Sequence, residues 1–154
     1  MNPKLKVGEP APDVWLTTDE GERVELRALR GQEVIVFFYV KDDTPGCAQQ
    51  VCAFRDLWPT WEERGARVLG VGVGTAAGHQ KFRKKHGLPF ALVVDEDHAV
   101  AEAFGVWREK VLYGRRSMGV VRSIFVIGAD GALEQVHDNV RAGRELGDLL
   151  GPML

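Results

Sequence analysis

The chain has 154 residues, 45% hydrophobic and 27% charged, enough for one core that buries roughly 70% of the unfolded chain's surface. A formal net charge of −2 supplies no broad basic field, so nucleic acid is not an expected partner. The longest wholly apolar run, 34–40, is too short to cross a bilayer, and the first ten residues hold no apolar signal core. No membrane partner is expected, and a cytoplasmic address is the default.

From the N-terminus, 14–16 and 23–26 flank Thr17-Thr-Asp-Glu-Gly-Glu22 and read as a hairpin. Four runs follow: Val34-Ile-Val-Phe-Phe-Tyr-Val40, Arg67-Val-Leu-Gly-Val-Gly-Val73, Phe90-Ala-Leu-Val-Val94 and Ser123-Ile-Phe-Val-Ile127. Their apolarity is continuous rather than alternating, which predicts strands buried on both faces. Helix-compatible segments at about 45–64 and 76–86 separate the first three runs, and another at 97–104 follows the third. Gly128-Ala-Asp-Gly131 turns 123–127 into 132–136, a second hairpin, and a last helix is expected at about 143–150. This alternation predicts an α/β fold with a central sheet. No linker or composition shift divides the chain, so 1–154 reads as one domain.

The two cysteines, Cys47 and Cys52, stand five positions apart. In a reducing cytosol such a pair is more often catalytic, redox-sensing or simply buried than a permanent structural bridge. A zinc site would need two more ligands, and His79, His86, His98 and His137 are scattered without ligand spacing. Neither metal nor cofactor is expected.

Lys41-Asp-Asp-Thr-Pro-Gly-Cys47 carries helix-start chemistry. A residue before proline is pushed toward extended geometry, which an N-cap requires, and threonine is a good N-cap. Proline is favoured at the next position, where its missing N–H costs nothing. Thr44 as cap and Pro45 as first helical residue put Cys47 third, beside unpaired N–H groups and the positive end of the helix dipole. That setting lowers a thiol pKa. Cys47, Val51, Phe54, Trp58 and Trp61 follow spacings of 4, 3, 4 and 3 and form one helical stripe, with Cys52 off it. Pro59 should interrupt the helix near Leu57. The competing account makes both cysteines inert core residues, and the cap geometry argues against it. Asp42 and Asp43 oppose a thiolate, so a cation must offset them.

Phe38-Tyr-Val-Lys-Asp-Asp-Thr-Pro-Gly-Cys47, with Val51-Cys-Ala-Phe-Arg-Asp56, closely resembles the bacterioferritin-comigratory (Q-type) peroxiredoxins. Gly8-Glu-Pro-Ala-Pro-Asp13, His79-Gln-Lys-Phe82, Phe104-Gly-Val-Trp107 and Arg122-Ser-Ile-Phe-Val-Ile127 extend the similarity over nearly the whole chain. The resemblance implies a thioredoxin-like fold, with a central mixed sheet, flanking helices and an N-terminal β-hairpin extension. It implies reduction of hydrogen peroxide and alkyl hydroperoxides, with electrons from thioredoxin or a similar dithiol reductant. Cys47 matches the peroxidatic cysteine and Cys52 the resolving one. Thr44 and Arg122 match the remaining catalytic positions, with Pro45 and Gly46 lining the peroxide. Arg122 would be the missing cation. A monomer or weak dimer is expected. Gly74, Gly78, Gly128 and Arg144 depart from the family pattern, which bears on surface contacts such as reductant docking rather than on the motif.

Two other readings use the same residues. Thiol–disulfide exchange or redox sensing without peroxidase turnover needs the same sulfur chemistry, although exchange typically uses Cys-x-x-Cys. Gly72-x-Gly74-x-x-Ala77, after a strand and before a helix, also forms a passable dinucleotide-binding fingerprint, with Asp95 ending the next strand.

Overall fold

The computed structural model describes residues 5–42, 45–141 and 150. Two short strands, β1 (Trp15–Thr17) and β2 (Arg23–Glu25), form the expected N-terminal hairpin, and a 3-10 turn (Leu26–Leu29) replaces the end of its second arm. Then come β3 (Val34–Phe38), α1 (Pro45–Asp56), α2 (Trp58–Arg64), β4 (Arg67–Gly72), α3 (Ala76–His86), β5 (Leu92–Val94) and α4 (Ala99–Ala103). A ribbon of β6 (Trp107–Leu112) and β7 (Arg115–Val120) precedes β8 (Ser123–Ile127) and β9 (Leu133–His137).

The central sheet runs β5-β4-β3-β8-β9, with β3, β4 and β5 parallel and β8 and β9 antiparallel to their neighbours. Continuous apolarity in β3 has its cause in two covered faces. Ile35, Phe37 and Tyr39 pack with Cys47, Val51, Phe54 and Trp61 from the first two helices. Val34, Val36 and Phe38 pack on the opposite side with Leu16, Val100 and Phe104. All five β3 residues are buried, so truncating Phe37 to alanine would cost about 3–5 kcal/mol. This strand is the rigid member that delivers the chain to α1.

The helix predicted at 45–64 is two helices, broken at Leu57, with Pro59 the second residue of α2. The break falls where proline forbids continuation. Several bounds contract: the strand expected at 34–40 ends at Phe38, and that at 90–94 begins at Leu92. The β6–β7 ribbon was not foreseen. Charged residues dominate its pairing, and its two-residue turn uses Tyr113 (φ 53°) and Gly114 (φ 77°). Both positive angles suit a tight hairpin, yet Tyr-Gly is a weaker signal than Asn-Gly or Asp-Gly. The helix expected at 143–150 lies outside the described residues except Leu150, which is helical and buried.

Candidate active site

Cys47 is the third residue of α1, as the cap reasoning required, and its side chain is fully buried. Thr44, the expected cap, lies outside the described residues, as do Asp43 and the side chain of Pro45. Among the described residues, donors reach the Cys47 sulfur from two directions. The Lys41 backbone N–H points at it from 3.4 Å, and Arg122 Nη2 lies at 3.4 Å. The same guanidinium donates through Nη1 to the Gly46 carbonyl and to Gln50 Oε1, each at 3.1 Å.

Arg122 sits immediately before β8, and its carbonyl accepts the Val140 N–H at 2.7 Å. That backbone anchor and the two Nη1 bonds aim the fork at sulfur. A permanently charged, planar donor suits both a thiolate and a developing oxygen anion. Gly46 contributes its carbonyl to Arg122, which holds the guanidinium against the first turn of α1.

Cys52 is half-buried and turned away from the Cys47 stripe, as its position on α1 predicts. Its sulfur lies 3.7 Å from His86 Nδ1 at the end of α3. Arg55 Nη1 donates to the His86 carbonyl at 2.8 Å, which clips the second half of α1 to α3. No disulfide joins the cysteines.

Two residues escaped the sequence reading, and a third was seen without its partner. Gln50, nearly fully buried, steadies Arg122 through Oε1, while its Nε2 finds no hydrogen-bond partner among the described residues. A polar stripe position in α1 is visible in sequence, but its facing arginine is not. Lys110, on the unforeseen ribbon, has its pKa lowered by burial and then by the Arg122 charge, with Cys47 pulling the other way. It thus lies within electrostatic reach of both. His79, fully buried, contacts Asp42; sequence singled it out only as a scattered histidine and part of the resemblance. The glycine fingerprint has a different use. A Cβ at Gly72 would stand 2.6 Å from the Tyr39 hydroxyl, and one at Gly74 would stand 2.8 Å from an Asp42 oxygen. Side chains of the chain itself fill the space a pyrophosphate would need.

The family model for AhpC/TSA matches residues 7–136, well over half the chain. The chain belongs to the AhpC/TSA family. Its relatives are peroxiredoxins. It is 43% identical to peroxiredoxin Bcp of Bacillus subtilis over 129 residues, 84% of this chain and 82% of that protein. It is also 43% identical to peroxiredoxin Bcp of Escherichia coli over 141 residues, 92% and 90% of the two chains. Among solved structures, PrxQ of Xylella fastidiosa superimposes with a TM-score of 0.87 at 28% identity, covering 99% of this chain and 95% of its own. A bacterioferritin comigratory protein of Xanthomonas campestris, with alkyl peroxide reduction activity, gives 0.84 at 32% identity, covering 97% and 93%. The chain is therefore a bacterioferritin-comigratory (Q-type) peroxiredoxin with the thioredoxin-like fold, an oxidoreductase of the peroxidase class. The dinucleotide reading falls with this.

Proposed function

We propose that Cys47 is the attacking thiolate and Cys52 the residue that resolves it. The observation that carries the assignment is the buried Cys47 sulfur at the first turn of α1, with Arg122 Nη2 3.4 Å away. In this reading the thiolate attacks the outer oxygen of hydrogen peroxide or an alkyl hydroperoxide. The O–O bond breaks, Cys47 becomes a sulfenic acid, and water or an alcohol leaves after taking a proton. Arg122 and the helix-start N–H groups stabilise the charge on the departing oxygen. Thr44 adds its hydroxyl, while Pro45 and Gly46 line the peroxide and keep water from sulfur. Cys52 then attacks the sulfenic sulfur and releases water, and thioredoxin or a similar dithiol reduces the disulfide. The whole chain acts as one domain in the cytoplasm, as a monomer or weak dimer, with neither nucleic acid nor membrane as partner.

Steady-state consumption of hydrogen peroxide with thioredoxin and its reductase tests the proposal. The parental protein cycles many times, whereas a sensor would oxidise once. Cys47→Ser should abolish turnover, because only a thiolate is nucleophilic enough at neutral pH. Residual activity above about one per cent, with Cys52 intact, would overturn the roles.

A further inference from the structure

Asp42 stands five residues before Cys47 and is only 15% exposed, where a bare carboxylate would oppose the thiolate. The structure surrounds it with donors. Oδ1 accepts the Tyr39 hydroxyl at 2.7 Å, and Oδ2 lies 2.7 Å from His79 Nδ1. On the far side of the ring, Nε2 lies 3.0 Å from both the Gly72 and the Val93 carbonyl oxygens. Two carbonyls can only accept, so Nε2 carries a proton. A neutral imidazole has no second N–H to give, yet Nδ1 faces a carboxylate. One further proton therefore occupies the Nδ1–Oδ2 contact. With Tyr39 donating to its other oxygen, the carboxylate is best satisfied as an anion, which places that proton on the ring.

The slot is cut for these groups. Gly72 and Gly74 supply the space, since a Cβ at either would run into Tyr39, His79 or Asp42. Asp42 follows Lys41, whose N–H points at the Cys47 sulfur. We propose that His79 and Asp42 form a buried ion pair that positions the Cys47 segment, fixing the Lys41 N–H on sulfur and cancelling the Asp42 charge. The proposal deepens the reading of Cys47 as the attacking thiol and rests on it. His79 and Asp42 are positioning residues; neither touches the peroxide.

Burial alone would lower the His79 pKa, but the Asp42 hydrogen bond and charge, with the Gly72 and Val93 carbonyls, raise it overall. Among the described residues, few titratable groups surround the pair. Tyr39 comes from β3, its pKa pushed up by burial and then Asp42, so it stays a donor. Cys47 comes from α1. Asp95, after β5, is turned to α4, where its carboxylate accepts the Val100 and Ala101 N–H groups. Asp19 is engaged by Arg83.

The test titrates Cys47 in Cys52→Ser protein, where it is the sole thiol, by thiolate ultraviolet absorbance. His79→Gln keeps a donor for the carbonyls but no charge, leaving Asp42 uncompensated. The Cys47 midpoint should rise by about one pH unit. Adding Asp42→Asn removes the charge, and the midpoint should return toward the parental value. Lost packing alone would predict no such rescue. An unchanged midpoint in His79→Gln, or a double variant as high as the single, would overturn the pair. Nitrogen-15 NMR of the parental protein near neutral pH decides the matter even where His79→Gln does not fold. Both His79 nitrogens should be protonated, and a ring protonated at Nε2 alone refutes the proposal. These readouts involve no peroxide, so their failure is separate from failure of the peroxidase roles, which Cys47→Ser decides.

Discussion

Oxidation should unwind the first half of α1. Both cysteines lie on one helix, Pro45–Asp56, and five residues of α-helix rise roughly 7.5 Å while turning some 140°. A disulfide needs Cα atoms within about 7 Å and converging Cβ vectors. The geometry agrees with this separation: Cys47 is fully buried beneath Arg122, while Cys52 faces His86 on another side. Forming the bond must break the Arg122 and Lys41 contacts to sulfur and release Cys52 from His86. Each such hydrogen bond is worth about 1 kcal/mol net. Val51, fully buried between the two cysteines, adds about 1.5–3 kcal/mol when exposed. The sum is several kcal/mol, equivalent to at least a hundredfold or so in local protection. Amide exchange compared between reduced and oxidised protein should show 46–53 losing that protection, with β3 and β8 little changed. Equal protection across 46–53, in a sample proven to hold the Cys47–Cys52 bond, would refute the reasoning.

Arg122→Met should slow the peroxide step by more than thirtyfold. A free thiol is already about 3% thiolate at neutral pH, so lost ionisation alone explains at most roughly thirtyfold; stopped-flow recovery to the parental rate at a pH that ionises the variant would reduce Arg122 to a pKa effect. Cys52→Ser should keep the first oxidation fast but stall thioredoxin-driven turnover, with Cys47 accumulating as sulfenic acid by mass spectrometry; normal turnover would remove Cys52 from the cycle. Stability should also depend on pH through His79, whose pKa is raised above the ordinary 6.5. That contribution is fully present below about 6.5 and is lost as pH rises through the higher folded-state value. The Tm gap between parental and His79→Gln proteins should therefore narrow at alkaline pH, and a constant gap would contradict it.

The sequence carried the frame of the site because its signals are local. Thr-Pro-Gly-Cys fixes a helix start by steric preference within four residues, and Pro59 marks the break at Leu57 in the same way. Burial of β3 on both faces is legible because it demands a continuous apolar run. Arg122 came from the resemblance; nothing local distinguishes it from Arg115 or Arg116, and only the β3–β8 pairing brings it to α1. Lys110 and Gln50 were invisible for the same reason, since their partners lie far along the chain. The charged β6–β7 ribbon lacks both an apolar period and a strong turn signal.

Asp42 shows what a reading of single residues leaves out. As charges beside Cys47, Asp42 and Asp43 call for a cation, and the family resemblance supplies Arg122. In the structure Asp42 lies against His79, while the Arg122 fork reaches the Cys47 sulfur. That arrangement also fits the two demands on the site. Peroxide attack needs donors fixed within a few tenths of an ångström, whereas resolution needs the cysteine to leave them. Two of the donors come from outside α1, from the segment after β3 and from the residue just before β8. What must move is α1, held at its second half by Cys52 and Arg55 on His86. The Leu57 break, with Pro59 just beyond, bounds the movement, because α2 begins its own backbone hydrogen bonds at Leu57 and the buried Trp61 ties the end of α1 to it, its Nε1 donating to the Phe54 carbonyl at 3.3 Å. Unwinding can therefore expose the disulfide without loosening the sheet that carries Arg122.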